Sequence, residues 1–360
     1  MRGKTQAHDV PGKSRPAFSR LRAAILAGLL VLLLLPVGVD ARGGPSRAGT
    51  PALAGHTYQN PVFARDFPDP FVLKVGGVYY AYGTSTGSQP WEPLNNRFPI
   101  LRSTDLVHWR YIADAFTDPP DWGFGDWWAP DVAVRAGVFY MYYVGHSVAN
   151  GQHCIGVATA KTPTGPFTDH GSLACADLFG QGYIDPDPFI DSNGKAYLYL
   201  SVDNPYHSIS VIPLAPDLLH VAGPRKQLFT LSQPWEHGPD FSTVEGPFMV
   251  KQGRTYYLFY SGNDWQHDYA MGYATAASPL GPFTKYRGNP ILRGTKTVTG
   301  PGGGSLFQGP HGGWWLAYHG WTGGPGYSNG GVRNLRLDPV SWRHGVVTVR
   351  GPTTTPQPAP

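Results

Sequence analysis

The sequence lacks the spacing of apolar residues that marks amphipathic helices. Glycine occurs 47 times and proline 36 times in 360 residues, so no helical pattern of any length remains uninterrupted. Charged side chains make up 14 % of the chain, whereas about a quarter is typical of soluble domains. Aromatic side chains make up 13 %. These proportions predict a turn-rich, all-β protein with an aromatic-lined surface.

No cluster of basic residues follows residue 41, which argues against nucleic acid as a partner. Residues 1–41 hold six of the 28 Lys and Arg and two of the 24 Asp and Glu, which leaves 22 of each sign. Within them, an apolar run (24–39) follows three arginines and ends near the small-residue pattern Val39-Asp40-Ala41. This pattern predicts a signal peptide over 1–41, cleaved near Ala41, and a secreted protein free of the membrane. An uncleaved membrane anchor is the alternative.

Cysteine is scarce, with only Cys154 and Cys175, and no Cys/His spacing is typical of a zinc site. In an exported protein such a pair predicts a disulfide, which would close a loop of about 20 residues and stabilise the fold by roughly 3 kcal/mol. Two buried thiols are the alternative. We expect that no cofactor is required.

Low-complexity segments flank the part that should fold. Residues 42–57 are small and polar and predict a linker. Residues 351–360 are rich in Pro and Thr and predict a disordered or extended tail. The sequence therefore places the folded domain at 58–350.

Within 58–350 the sequence repeats. Five segments carry an apolar strand, a short turn and an aromatic strand, with the aromatic runs at Tyr80, Tyr140, Tyr197, Tyr257 and Trp315. The spacings are 60, 57, 60 and 58 residues. A constant period with about four strands per unit predicts a single five-bladed β-propeller domain. A β-sandwich or two separate β domains would not give this period.

The first strand of each propeller blade lines the central channel, so residues at the start of these strands share one cavity. Three starts carry an acid: Asp69 in PDPF, Asp185 in IDPDPF and Glu245 in EGPF. The other two starts read WWAPDV and GPGGGS. Each acid alone is typical of a turn, but we expect acids at the same step of three blades to meet in space.

Carboxyl groups that converge in an aromatic-lined cavity favour glycoside hydrolysis. One must be a protonated acid, and another must stay ionised to activate water or attack carbon. The third can hold the pKa of the acid up, because a nearby negative charge disfavours ionisation. Clustered acids also bind calcium, but DSNG at 191–194 is typical of a hairpin turn rather than of a calcium loop.

These motifs resemble those of glycoside hydrolase family 43, five-bladed propeller enzymes that cut arabinan and xylan, over nearly all of 58–350. The resemblance implies that Asp69, in NPVFARDFPDPFVL, is the general base and that Glu245, in EGPFMVKQGRTYYLFYSG, is the general acid. It implies that Asp185 in IDPDPFIDSNGKAYL, not Asp187, tunes the acid and orients the substrate.

Four further residues are candidate substrate contacts. Trp128 begins WAPDV, which is similar to a family hallmark at the cavity wall, and Phe71 belongs to the first acid's motif. His319, in YHG, is either a cavity residue or a histidine buried in the core. Arg333, in VRNLRLDP, either pairs with a sugar hydroxyl or caps a strand. Many relatives have Gly-Pro-Gly-His in blade five, whose His reaches an axial metal ion or water cluster. Here 300–303 reads GPGG, which puts axial calcium in doubt, and we predict no metal site.

The resemblance implies an inverting glycoside hydrolase that acts on an oligo- or polysaccharide, with the two catalytic carboxyls about 6.5–9.5 Å apart. Many xylosidase members carry an extra C-terminal β-sandwich; we expect none after this propeller and therefore expect arabinan-type substrates. We also expect a monomer. The loops at 87–99 and 122–128 would decide between arabinose and xylose and between exo and endo action. The alternatives are a non-catalytic carbohydrate-binding propeller and a retaining, fructan-active enzyme with carboxyls about 5–5.5 Å apart.

Overall fold

The structure, a computed structural model, describes residues 56–85, 97–176, 180–203 and 207–360. The predicted signal peptide, all but the last two residues of the predicted linker and most of the loop at 87–99 lie outside the described residues. Almost all regular structure in the described part is strand, with two short 3₁₀ helices, Pro234–Glu236 and Tyr327–Asn329. In these same ranges, no helix is long and apolar enough to cross a membrane.

Two short strands, β1 (Thr57–Tyr58) and β2 (Phe63–Asp66), precede five antiparallel sheets. The first three sheets each use four consecutive strands. Blade one has β3 (Phe71–Val75), β4 (Val78–Tyr82), β5 (Pro99–Ser103) and β6 (Arg110–Asp114). Blade two has β7 (Trp128–Arg135), β8 (Val138–His146), β9 (His153–Ala160) and β10 (Thr168–Cys175). Blade three has β11 (Gly182–Ile190), β12 (Ala196–Asp203), β13 (Ser208–Leu214) and β14 (Lys226–Thr230).

The last two sheets carry extra strands. Blade four has β15 (Val244–Gln252), β16 (Thr255–Gly262), β17 (Ala270–Ala276), β18 (Thr284–Lys285) and β19 (Leu292–Arg293). Blade five has β20 (Thr299–Gln308), β21 (Trp314–Thr322), β22 (Val332–Arg343), β23 (Val346–Val349) and the N-terminal β2, and β24 (Gln357–Pro358) follows it. The period near 60 residues therefore corresponds to one blade, and the prediction of an all-β, five-bladed propeller is confirmed.

The apolar core of the propeller is divided into five clusters, each between two neighbouring blades. Tyr82 of blade one packs with Met141 of blade two, for example, and Leu335 of blade five packs with Val72 of blade one. A blade buries its apolar faces only against its neighbours. Five such interfaces among five blades therefore make a closed ring.

The ring closes through the N-terminal strand β2, which pairs with β22 of the last blade and places Phe63 opposite Leu335. Asn60 reinforces this closure, because its side chain donates to Leu337 O at 2.8 Å and accepts from Leu337 N at 2.9 Å. Asp69 lies three residues beyond β2. Its position is therefore fixed from both ends of the domain.

Residues 351–360, predicted as a disordered or extended tail, are extended along this closure. Thr353 Oγ1 donates to the buried Asp338 Oδ1 at 2.6 Å, and β24 pairs with β1. The fold thus continues beyond residue 350.

Cys154 and Cys175 form a disulfide in the structure. They are register partners on β9 and β10, the two outer strands of blade two. The bond joins β9 to β10 at the outer edge of blade two, and neither cysteine lines the channel.

Candidate active site

The innermost strands of all five blades make the same backbone step at the channel mouth. One residue in each takes a left-handed conformation, with φ between 44° and 60°. These residues are Asp69, Ala129, Asp185, Gly246 and Gly303. Proline follows the first four and glycine follows the fifth. A left-handed φ is unfavourable for residues other than glycine. Asp69 and Asp185 therefore have strained backbones of the kind found at functional sites.

The three acids were predicted at equivalent positions of their blades, but only two of them are the left-handed residue. These are Asp69 and Asp185, whereas Glu245 precedes the left-handed Gly246, so the expectation was wrong by one residue for Glu245. The equivalent of Glu245 in blade two is Trp128. Gly246 takes the left-handed conformation without the steric cost that a side chain would add, and Glu245 lies directly before it within β15.

All seven residues predicted for catalysis or substrate binding line a single cavity of about 810 Å³. Its walls bring together side chains from all five blades, and they include Asp69, Asp185, Glu245, Trp128, Phe71, His319 and Arg333. Asp187, the other acid of the blade-three motif, does not line the cavity. It is buried, and its Oδ2 accepts the N–H of Met249 at 2.8 Å, which links blade three to blade four.

Asp69 is held as a carboxylate. Burial alone would raise its pKa, but the nearby positive charge of Arg333, together with His319 and Thr84, lowers it well below the usual range. Thr84 Oγ1 donates to Asp69 Oδ2 at 2.6 Å, and Arg333 Nη1 lies 3.8 Å from Oδ1. About a fifth of the side chain, 23 %, remains exposed to the cavity.

Arg333 lies among three aromatic rings. Its guanidinium carbon lies 5.3 Å, 5.6 Å and 5.4 Å from the ring centres of Trp265, Trp321 and Tyr327, and its Nε donates to the Tyr327 hydroxyl at 3.1 Å. Cation–π contacts of this kind fix a guanidinium without neutralising it. The structure thus places Arg333 against Asp69 in the cavity wall rather than at a strand end alone.

His319 is both a buried histidine and a cavity residue, with 1 % of its side chain exposed. Burial lowers its pKa, so the ring is neutral, and Nδ1 accepts the N–H of Asp69 at 3.1 Å. The same Nδ1 lies 3.3 Å from Asp69 Oδ1, and Nε2 has no hydrogen-bond partner among the described residues.

Asp185 and Glu245 both have pKa values well above the usual range of a carboxyl group. Burial and the negative charge of Asp69 raise the pKa of Asp185 to about 7, although Ser201 Oγ and the N–H of Gly246 each donate to its Oδ2 at 3.0 Å. Burial and the charge of Asp185 raise the pKa of Glu245 to about 8. At neutral pH Asp69 is ionised and Asp185 is partly ionised, while Glu245 largely keeps its proton.

Tyr269 and Gly303 also shape the site, and sequence reasoning missed both. Tyr269 is hydrogen-bonded to Glu245, and its ring stacks on His319 with centroids 5.8 Å apart. A side chain at Gly303 would place its Cβ 2.6 Å from Asp69 Oδ1. The Gly303 position was visible in the sequence as the blade-five counterpart of Asp69, but nothing in the segment DYAMGY marks Tyr269.

Fold and site together define a five-bladed propeller whose channel mouth holds three carboxyl groups of unequal acidity beside aromatic and cationic side chains. Residues 58–347 match the family described as Glycosyl hydrolases family 43, and the chain belongs to this family.

Individual relatives agree with this assignment. The chain is 29 % identical over 304 residues to a non-reducing end alpha-L-arabinofuranosidase of Bacteroides ovatus, which covers 81 % of this chain and 53 % of that protein. The chain thus spans about half the length of that relative. It is 28 % identical over 302 residues to a probable arabinan endo-1,5-alpha-L-arabinosidase A of Aspergillus fumigatus, which covers 74 % of this chain and 87 % of that protein.

Solved structures share the fold. A thermostable family-43 glycoside hydrolase is 35 % identical with a TM-score of 0.76, covering 84 % of this chain and 99 % of its own. An endo-1,4-beta-xylanase from Bacteroides thetaiotaomicron is 28 % identical with a TM-score of 0.69, covering 85 % and 99 %.

Proposed function

We propose that the chain is a secreted, inverting glycoside hydrolase that cleaves arabinofuranosyl or xylosyl linkages, with arabinan-type substrates favoured. One observation carries the proposal: two carboxyl groups of opposite acidity line one cavity. The pKa of Asp69 is well below its usual range, whereas that of Glu245 is about 8. Hydrolysis with inversion needs one ionised and one protonated carboxyl at the same pH. The activities named for the Bacteroides and Aspergillus relatives support the substrate class.

In this proposal Asp69 removes a proton from a water molecule, whose oxygen bonds to the anomeric carbon on one face of the sugar. On the other face the glycosidic bond breaks, and Glu245 transfers its proton to the leaving oxygen. Asp69 ends the step protonated and Glu245 ends it ionised, so proton exchange with solvent restores both. Asp185 supplies the negative charge that favours the protonated form of Glu245.

The remaining cavity residues suit a sugar ligand. The rings of Trp128 and Phe71 offer apolar faces for stacking on a sugar ring. His319 Nε2, which has no partner among the described residues, and the guanidinium of Arg333 can hydrogen-bond sugar hydroxyls. The proposed steps use only side chains of this protein and require no cofactor.

The experiment that tests the proposal separates the acid from the base by the leaving group. Glu245→Gln should lower kcat/KM on linear arabinan by about 10²–10⁴-fold but have a much smaller effect on dinitrophenyl arabinofuranoside, whose leaving group needs no proton. Asp69→Asn should lower both, because the water still needs a base. Asp118→Asn, an exposed Asp-Pro position outside the cavity wall, is the matched control and should behave as wild type.

The same assays distinguish the other functions. Proton NMR of the first sugar released should show the inverted anomer, and a retained anomer would indicate the nucleophilic mechanism instead. Glycan binding without turnover of any arabinan, xylan or aryl glycoside would indicate a non-catalytic propeller. Monomeric products from linear arabinan indicate exo action, and a ladder of oligomers indicates endo action.

Secretion has its own test. Expression of the full chain in a secreting host should release a protein whose N-terminal residue is Arg42. A membrane-bound product that retains residues 1–41 would indicate the anchor instead.

A further inference from the structure

A second cluster of polar side chains lies at the rim of the cavity, on blade two. His146 ends β8 and His153 begins β9, and the two are register partners across the hairpin. Asp126 precedes β7 and reaches both rings. Its Oδ2 lies 3.2 Å from His146 Nδ1 and 3.1 Å from His153 Nε2, and one ligand atom from each of the three residues lies within 4.8 Å of the others.

Each imidazole faces oxygen acceptors on both sides. His146 Nε2 lies 3.0 Å from the carbonyl oxygen of Gly151, and His153 Nδ1 lies 3.4 Å from Asp203 Oδ2. The other nitrogen of each ring faces Asp126 Oδ2. A neutral imidazole has only one N–H. Once the N–H groups are directed to Gly151 and Asp203, both remaining lone pairs point at the same carboxylate oxygen.

With Asp126 ionised, two arrangements satisfy this geometry. Both rings can be protonated, which puts two positive charges on rings whose centres are 5.0 Å apart. Alternatively, a cation at the junction accepts both nitrogen lone pairs and the carboxylate. The outer contacts favour the cation, because ligating histidines typically donate their second N–H to a carboxylate or a backbone carbonyl, which fixes the tautomer and the ring orientation.

We propose that His146 Nδ1, His153 Nε2 and the carboxylate of Asp126 bind a divalent transition-metal ion of the zinc class. Imidazole and carboxylate together suit such ions. Gly151 and Asp203 hold the two rings from behind. The three ligands leave a coordination position open.

The position of this site indicates its role. Asp126 lines the substrate cavity, the ring of His153 lies 4.6 Å from that of Trp128, and His146 lies 4.3 Å from the largely exposed ring of Phe124. Phe124, Asp126 and Trp128 belong to one segment, 122–128, that walls the cavity. The ion therefore fixes this wall against β8 and β9. Neither Asp69 nor Glu245 is among its ligands, so the ion acts on substrate binding rather than on the bond-breaking step.

The test uses full-length protein that has been treated with a chelator and then titrated with ZnCl₂. We expect one equivalent of bound zinc by elemental analysis, a rise in Tm, and visible d–d bands when Co²⁺ replaces Zn²⁺. Asp126→Asn and His153→Ala should lose the bound equivalent. Asp203→Asn should keep one equivalent but bind it about 10–100-fold more weakly. His220→Ala, which removes an exposed histidine paired with Asp217, is the control and should bind as wild type.

Binding is independent of the proposed hydrolase activity, so the two can fail separately. Zinc uptake below a tenth of an equivalent, or unchanged uptake in Asp126→Asn, would overturn the site. The site would also be overturned if the ¹⁵N spectrum at neutral pH showed both nitrogens protonated in His146 and in His153, and if zinc left that spectrum unchanged. Should His153→Ala not fold, Asp126→Asn alone decides. A KM for substrate that is identical with and without bound zinc would overturn the role in the cavity wall.

Discussion

Replacement of Gly303 by alanine tests how closely the cavity holds Asp69. The added Cβ would lie 2.6 Å from Asp69 Oδ1 and 2.6 Å from His319 Cε1, well inside van der Waals contact. Gly303 also has φ +55°, a conformation that costs an alanine about 1–2 kcal/mol. The variant therefore combines a backbone cost with a displacement of the proposed base.

Gly253→Ala separates the two effects. Gly253 has φ +59° in the turn between β15 and β16, and no atom lies within 4 Å of a Cβ built there. Both variants should lose about 1–2 kcal/mol of unfolding free energy from backbone strain. Only Gly303→Ala should also lose activity, because a shift of about 1 Å in a catalytic group costs on the order of 10²-fold in rate.

The measurements are urea denaturation and kcat/KM on an aryl arabinofuranoside for the wild type and both variants. Equal activity of the Gly303→Ala and Gly253→Ala proteins would refute the reasoning. It would mean either that Asp69 accommodates the methyl group without moving or that its position is not critical.

Three other perturbations follow from the same geometry. Because ionised Glu245 cannot protonate the leaving oxygen, kcat/KM should fall as the pH rises through about 8. Asp185→Asn removes a neighbouring negative charge and should move this fall to lower pH. An unchanged pH profile in this variant would contradict the electrostatic coupling between the two acids. Replacement of both Cys154 and Cys175 by serine should lower the unfolding free energy by roughly 3 kcal/mol for a loop of about 20 residues, measured by urea denaturation against the oxidised wild type. Asn60→Ala removes two buried hydrogen bonds to β22 and should cost about 2–3 kcal/mol; a change below about 0.5 kcal/mol would show that Asn60 contributes little to ring closure.

The fold was predictable because propeller blades repeat both their strand pattern and their length. Five aromatic runs at a constant spacing carried the prediction, and they correspond to β4, β8, β12, β16 and β21. The same repeat brought Asp69, Asp185 and Glu245 into one cavity, because equivalent positions of neighbouring blades converge on one axis. The one-residue offset of Glu245 could have been read from the sequence, since proline directly follows Asp69 and Asp185 but Gly246 separates Glu245 from Pro247.

Contacts that depend on loop conformation and on strand register could not be predicted from the sequence. Tyr269 reaches Glu245 from the position just before the third strand of blade four, where no motif marks it. His146 and His153 are seven residues apart and face each other only because β8 and β9 pair in one register. Spacing rules for zinc sites describe ligands held by one local motif, so they do not test the proposed cluster, whose Asp126 comes from another loop.

Ring closure by β2 has a consequence for when the protein becomes competent. The proposed base lies just beyond the strand that pairs with β22, so Asp69 has no fixed position until residues near 335 are in place. A nascent chain that has completed four blades already contains all three acids, yet its base would be unanchored. Catalytic competence therefore coincides with the last step of topological assembly, and partly synthesised or clipped chains should be inert toward glycans inside the producing cell.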